Sequence, residues 1–260
     1  MQEICIACNS VKTNNLGKPK FQKCKSKYSI IKCDICGLCW CSPMPSDNDF
    51  DLYYKSYYQK RFQNIINTSL KLFRELITFK YYREYLFLKK ATKYKKIVKF
   101  LDYGCGEGEM LIMGKKFGWE CTGTEYSSEL TEAYRKAGIH VVISKDFGHP
   151  ELVNKDYDVI LFKHLIEHIR EIPNFLNSAK NFLSKNGIIM IKTPSNSSLR
   201  AKTGTSNWHL INPPEHLWSF NTHNFRKLLE NFGFQVLSIR DSLVVNELIC
   251  YARIKKEFSP

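Results

Sequence analysis

Val98-Lys99-Phe100-Leu101-Asp102-Tyr103-Gly104-Cys105-Gly106-Glu107-Gly108 runs as a short apolar strand straight into a glycine-rich turn, and Glu125 closes the next apolar stretch. Glycines at alternate positions let the backbone approach a ligand with no Cβ in the way, and the helix that follows offers its first N–H groups as donors. An acidic residue about twenty positions on is placed to accept hydrogen bonds from a ribose diol. The pattern points to a nucleoside-bearing cofactor. A dinucleotide site uses Gly-x-Gly-x-x-Gly under a diphosphate. This loop reads Gly-x-Gly-x-Gly with Glu107 and Glu109 beside it, and carboxylates there repel a diphosphate. A plain glycine turn in another α/β protein is the alternative.

Outward from that stretch, strands alternate with helices. Val98 to Tyr103 is predicted as the first strand, Glu109 to Phe117 as a helix, Glu120 to Glu125 as a strand, and Ser128 to Ala137 as a helix with a Ser cap. His140 to Ile143, Asp158 to Phe162 and Gly187 to Lys192 are further strands, with a helix over Pro173 to Leu183. Such alternation implies a mostly parallel sheet with helices on both faces. The tail differs: a helix over Thr222 to Phe232, Thr-capped and closed by Gly233, precedes two apolar strands, Phe234 to Arg240 and Glu247 to Ile254, that end the chain like a hairpin. Before the core, apolar residues recur at helical spacing from Phe62 to about Tyr94, as a connector or lid.

With 260 residues, 43% of them hydrophobic, the chain suffices for one α/β core and a small appendage. No run of 18 apolar residues exists, and the N-terminus lacks the basic and apolar regions of a signal peptide, so no membrane span and a cytoplasmic location are expected. Lys and Arg outnumber Asp and Glu 39 to 25. The excess is spread along the chain with no Arg-rich cluster or base-stacking motif, which favours solvated faces over a nucleic-acid surface. An anionic small substrate is a third use for the charge.

Ten cysteines in such a chain are not read as disulfides. Cys5-x-x-Cys8 and Cys33-x-x-Cys36-Gly37 form two knuckles, and four thiolates in two such pairs suit a closed, structural, tetrahedral Zn²⁺. Cys24, Cys39 and Cys41 are left over as substitute ligands or buried thiols.

On Asp102, Gly104-x-Gly106-x-Gly108 and Glu125 the chain resembles the class I S-adenosylmethionine-dependent methyltransferases. The resemblance implies a Rossmann-like, mostly parallel seven-stranded α/β sheet with a terminal antiparallel strand, over roughly Val98 to Lys255. It implies that Asp102 and the loop of Gly104, Cys105, Gly106 and Gly108 hold the methionine portion. Glu125, with Tyr126 beside it, would take the ribose hydroxyls. Asp146 would accept from the adenine amine and Phe147 pack near the ring; a local cap by Asp146 is the competing role. Lys163 and His164 open the segment Lys163-His164-Leu165-Ile166-Glu167-His168, which is similar to the family's Glu-His motif and would place His164 near cofactor and substrate; Glu167 and His168 would be supporting residues. The knuckles, with Pro43, Pro45 and the tyrosine-rich stretch from Tyr53 to Tyr58, resemble a branch with an N-terminal zinc-binding region found among sugar and surface-polysaccharide methyltransferases. Packing against the core is the commoner use of such tyrosines. The implied organisation is a zinc-binding region over 1–45, a helical connector over 46–96 and the methyltransferase domain over 97–260.

The second chemical signal is Trp208-His209-Leu210-Ile211-Asn212-Pro213-Pro214-Glu215-His216-Leu217-Trp218, expected as an active-site wall. Methyl transfer is an in-line displacement that needs alignment and a base for the nucleophile's proton. His216 is the first candidate, then His209, His164 and Glu215; a histidine that merely pins the loop is the alternative. A metal on Glu215 and His216 is disfavoured, since no further ligand spacing supports it. The expected acceptor is small, polar and anionic: a nucleotide-linked sugar, a glycan unit or its phosphoryl decoration. An RNA or protein methyltransferase and a non-catalytic cofactor-binding scaffold are the rivals, and the sequence leaves open the acceptor atom and the oligomeric state.

Overall fold

In the computed structural model the described residues are 3–19, 27–53, 81–128, 130–144, 146–153, 156–197, 210–242 and 246–256. Most of the connector, with Cys24, Trp208 and His209, lies outside them. In chain order the elements are β1 (Thr13–Asn15), β2 (Ser29–Cys33), β3 (Cys39–Ser42), α1 (Tyr82–Ala91), β4 (Lys99–Tyr103), α2 (Glu109–Lys116), β5 (Glu120–Glu125), α3 (Thr131–Ala137), β6 (Val141–Ile143) and β7 (Tyr157–Lys163). A single 3₁₀ turn (Ile166–His168) leads to α4 (Ile172–Lys180), β8 (Leu183–Pro194), β9 (Trp218–Ser219), α5 (Thr222–Asn231), β10 (Phe234–Asp241) and β11 (Glu247–Ile254).

The large sheet has seven strands in the order β10-β11-β8-β7-β4-β5-β6. β4 pairs in parallel with both β5 and β7, β5 pairs in parallel with β6, and β10 and β11 are antiparallel. The sheet is mostly parallel, as strand–helix alternation predicts, in the Rossmann-like arrangement that the family resemblance implies. Central parallel strands are covered on both faces and read as continuous apolar runs. β7 does so: Val159, Ile160, Leu161 and Phe162 are fully buried. Burying each such side chain contributes about 1.5–3 kcal/mol. No helix among the described residues is long and apolar enough to cross a membrane.

The chain divides into two compact units. The first holds Met1–Tyr54, His164–Asn177 and Met190–Pro260; the second holds Lys55–Lys163 and Ser178–Ile189. In the second, α2 packs closely on β5, where a Cβ on Gly123 would lie 2.6 Å from Leu111 Cδ1 and 2.9 Å from Cys105 Sγ. In the first, β1, β2, β3 and β9 form a four-stranded sheet that the sequence did not suggest, closed by Trp40 opposite Trp218.

Two helix starts differ from expectation. α3 begins at Thr131 with Leu130 before it, and Ser128 contributes its carbonyl, to Thr131 N and Oγ1, instead of a side-chain cap. α5 is capped by Asn221, not Thr222: Asn221 Oδ1 accepts from Asn224 N and Asn224 Oδ1 from Asn221 N, a reciprocal capping box that outcompetes a single hydroxyl.

Candidate functional site

The glycine loop lies in the second unit, between β4 and α2. Gly104, Gly106 and Gly108 all have positive φ (76°, 53° and 73°), conformations that L side chains rarely adopt. Gly108 also has no room: a Cβ there would lie 2.5 Å from Ile139 Cδ1. Gly104 N and Cys105 N donate to Thr124 O, which ties the turn to the end of β5. Glu125 then braces it, with Oε2 accepting from Gly106 N and Oε1 from Tyr126 N, both at 2.9 Å.

Asp102 is the penultimate residue of β4, two positions before Gly104. It is buried, and its Oδ1 has no hydrogen-bond partner. Burial pushes its pKa up to about 7, with Lys163 opposing the rise. A buried carboxylate oxygen left without a donor fits a ligand that brings a cation or an N–H to it. Lys163 Nζ is 2.6 Å from Glu109 Oε2, and Tyr81 OH donates to the same oxygen at 2.5 Å. The ion pair outweighs burial and holds the Lys163 pKa above its ordinary value. Phe147 is buried and stacked on Tyr103, with ring centroids 4.2 Å apart, while Asp146 is exposed and its Oδ1 accepts from Gly148 N.

In the first unit two clusters stand out. Cys5, Cys8, Cys33 and Cys36 converge, with all four sulfurs within 4.8 Å of one another and Cys5–Cys36 and Cys8–Cys33 at 3.5 Å. The knuckle turns are formed by Asn9 N to Cys5 O and by Gly37 N to Cys33 O, with Gly37 at φ 72°. A hydrogen bond from Cys36 lowers the Cys5 thiol to about 5 while raising Cys36 itself. The side-chain amides of Asn221 and Asn224 both donate to Cys36 O. Cys39 and Cys41 lie outside the cluster, their sulfurs directed at Gly37 O and Met44 Sδ, and burial pushes both to about 12.

The other cluster surrounds Glu167, which is buried on the 3₁₀ turn. Its Oε2 accepts from Thr193 Oγ1 at 2.9 Å; Oε1 has no hydrogen bond, with His164 Nδ1 at 3.5 Å and His168 Nε2 at 3.9 Å. His164, at φ 50°, also places Nε2 2.9 Å from Glu247 Oε1, and Lys192 bridges to Glu247 Oε2 at 3.2 Å. Burial alone would lower the His164 pKa; Glu167 and Glu247 outweigh it and hold it at about 9. His216 behaves oppositely: burial, then His168, pulls it down to about 4.

A family model described as a methyltransferase domain matches residues 57–239, more than half of the chain. The chain belongs to that family. Two curated relatives are ubiquinone biosynthesis O-methyltransferases, one from Pelagibacter ubique, 26% identical over 58% of this chain and 71% of its own length. The other, from Rickettsia canadensis, is 25% identical over 67% and 76%. Among solved structures, the fold is shared with the 1,6-didemethyltoxoflavin-N1-methyltransferase of Burkholderia thailandensis, bound to S-adenosylhomocysteine. Its TM-score is 0.58 at 12% identity, covering 89% of this chain and 97% of that one. The magnesium protoporphyrin IX methyltransferase of Synechocystis PCC 6803, also with S-adenosylhomocysteine, has a TM-score of 0.56 at 14% identity over 78% and 97%. This chain is thus a class I S-adenosylmethionine-dependent methyltransferase.

Within this methyltransferase, the second unit holds Asp102, Gly104, Cys105, Gly106, Gly108, Glu125, Tyr126, Asp146, Phe147 and Lys163; the first holds His164, Glu215, His216 and the four knuckle cysteines. Trp218, in the stretch expected as an active-site wall, is buried in β9 with Nε1 donating to Ile169 O at 2.7 Å. Two features were missed. Tyr81 joins Glu109 and Lys163 from a segment with no motif, and His216 meets Glu167 and His168, which spacing along the chain does not reveal.

Proposed function

We propose that this methyltransferase acts on a small, polar, anionic acceptor: a nucleotide-linked sugar, a surface-glycan unit or its phosphoryl decoration. The observation that carries the reading is the convergence of Cys5, Cys8, Cys33 and Cys36 in front of the methyltransferase domain. Tetrahedral ligands at a Zn–S distance of about 2.3 Å stand about 3.8 Å apart. Sulfurs at 3.5 Å to 4.8 Å fit a structural zinc with little movement, and such a region is the mark of the sugar-methylating branch the sequence resembles. The excess of basic residues supports capture of an anion in the cytoplasm. The organisation proposed with it is a zinc region over 1–45, a connector over 46–96 and the catalytic domain from 97 onward.

In this reading the loop from Gly104 to Gly108 and Asp102 hold the methionine portion, Glu125 and Tyr126 the ribose, Asp146 and Phe147 the adenine, with Lys163 and His164 flanking. An acceptor oxygen bonds to the methyl carbon, the carbon–sulfur bond breaks with its pair left on sulfur, and the hydroxyl proton is taken up with help from His216 or Glu215. His164, ion-paired on both sides, is a cation and not the base. Oxygen as the acceptor atom is favoured by the O-methyltransferase names of the curated relatives. Those names also supply the second reading, a phenolic hydroxyl of a quinone precursor.

The test is a turnover panel of nucleotide sugars, a demethylated quinone precursor and RNA, scored by S-adenosylhomocysteine release and a methyl mass gain. Methylation of a sugar nucleotide is expected; methylation of the phenol or RNA alone overturns the reading.

A further inference from the structure

We propose that Glu167, His168 and His216 form a binding site for a divalent transition-metal ion, separate from the cysteine cluster. One carboxylate oxygen and two imidazole nitrogens lie within 4.8 Å of one another. Two of these atoms are buried without a hydrogen bond: His216 Nδ1, and Glu167 Oε1, whose nearest charged neighbour is the His164 imidazole at 3.5 Å. Leaving one buried acceptor without a donor costs about 1–3 kcal/mol. Two in one cluster point to a shared cation.

The surroundings match what a metal site needs. Thr193 Oγ1 occupies the other Glu167 oxygen, which turns Oε1 toward the histidines. His168 Nδ1 lies 2.8 Å from Glu215 O, and a carbonyl can only accept there, so Nδ1 carries the proton and Nε2 holds the lone pair. The His168 and His216 rings are 4.8 Å apart between centroids and nearly perpendicular, so they do not stack with each other. The backbone fixes the frame: Leu217 N donates to Glu167 O at 2.8 Å, and Asn212 and His216 exchange N–H···O bonds. Ligand atoms at bond lengths near 2.1 Å stand about 3.3 Å apart, so rotation of the two partly exposed imidazoles suffices to close on an ion. An oxygen–nitrogen donor set selects zinc, cobalt, manganese or iron over calcium.

Three protein ligands leave a position for an outside oxygen. The inference deepens the proposed acceptor chemistry by making His216 a metal ligand in place of a base, and only its use rests on that reading: an acceptor hydroxyl bound to the ion gives up its proton to solvent water more readily as its oxygen bonds to the methyl carbon and sulfur takes the released pair.

The test uses the full chain with its cysteine cluster filled by zinc, titrated with Co²⁺ and followed by visible absorption. Expected is a saturable d–d spectrum, one ion per chain, without thiolate-to-cobalt charge transfer. Glu167→Gln and His216→Ala should each weaken binding by at least about tenfold. His216→Gln, which keeps a polar side chain of similar reach, stands in if His216→Ala does not fold, as judged by S-adenosylhomocysteine binding. No saturable spectrum, or an unchanged affinity in His216→Ala, overturns the metal site. Turnover lost with cobalt affinity intact overturns it too and leaves His216 as a base. Cobalt bound while no sugar is methylated supports the metal site and overturns the acceptor reading instead.

Discussion

Glu125 and Glu167 are both carboxylates withdrawn from water, 6% and 1% exposed, but they are handled in opposite ways. Glu125 accepts from the backbone N–H groups of Gly106 and Tyr126, donors that no pH change removes. Glu167 has one hydroxyl on Oε2 and is otherwise ringed by His164, His168 and His216, whose charge depends on protons or ions. The glycine loop is a mould cast in main chain; the glutamate–histidine cluster is a set of side chains whose charge balance depends on protonation. On the proposed assignment, a cofactor common to a whole family uses the first and a variable acceptor the second.

The sharpest way to break this contrast is Glu167→Ala. It leaves the Thr193 hydroxyl without its buried acceptor, while His164 is part-exposed and keeps Glu247, so the loss is about 1–3 kcal/mol. Urea unfolding should show it, whereas a loss under about 1 kcal/mol would mean the cluster is not electrostatically closed. Glu125→Ala comes next: two loop N–H groups lose their acceptor, at about 1–2 kcal/mol of stability. On the proposed cofactor assignment, S-adenosylhomocysteine affinity falls by at least about tenfold by calorimetry.

Asp102 tests whether the main-chain mould has a titrating floor. Its folded pKa is raised from 3.8 to about 7, so between those values the folded chain holds more protons than the unfolded one, and stability falls as pH rises through that window. On the proposed cofactor assignment a sulfonium near Asp102 favours the ionised carboxylate, so S-adenosylmethionine should bind more tightly as pH rises across about 7, with proton release. Asp102→Asn should flatten both profiles. The smallest effect is Asn221→Ala: the capping box on α5 is lost for about 1 kcal/mol, seen as a shift in the unfolding midpoint.

What could be read from the chain follows the same division. The loop from Gly104 to Gly108 and the two cysteine pairs are local devices, since each needs residues within a few positions to adopt a given turn. Their spacing therefore survives in one dimension. The large sheet was legible for a similar reason, because β7 is an unbroken apolar run and β10 and β11 bracket a short polar link. The cluster at Glu167 was not. Sequence pairing put His216 with its neighbour Glu215, but in the fold Glu215 offers its carbonyl to His168, 47 positions away, and the carboxylate near His216 is Glu167. β1 to β3 are not legible because they are three to five residues long, β1 is wholly polar, and the cysteines of β2 and β3 read as knuckle or spare thiols.

The pairing of Trp40 with Trp218 joins positions 178 apart. During synthesis, then, the cysteine knuckles emerge early and can close on a metal at once, while the sheet beside them waits for its fourth strand until most of the chain has left the ribosome. A long-range pair of this kind is formed late and slowly. On the proposed zinc reading, the metal would act there as an early staple, holding the shape of a fold whose last strand is still being made.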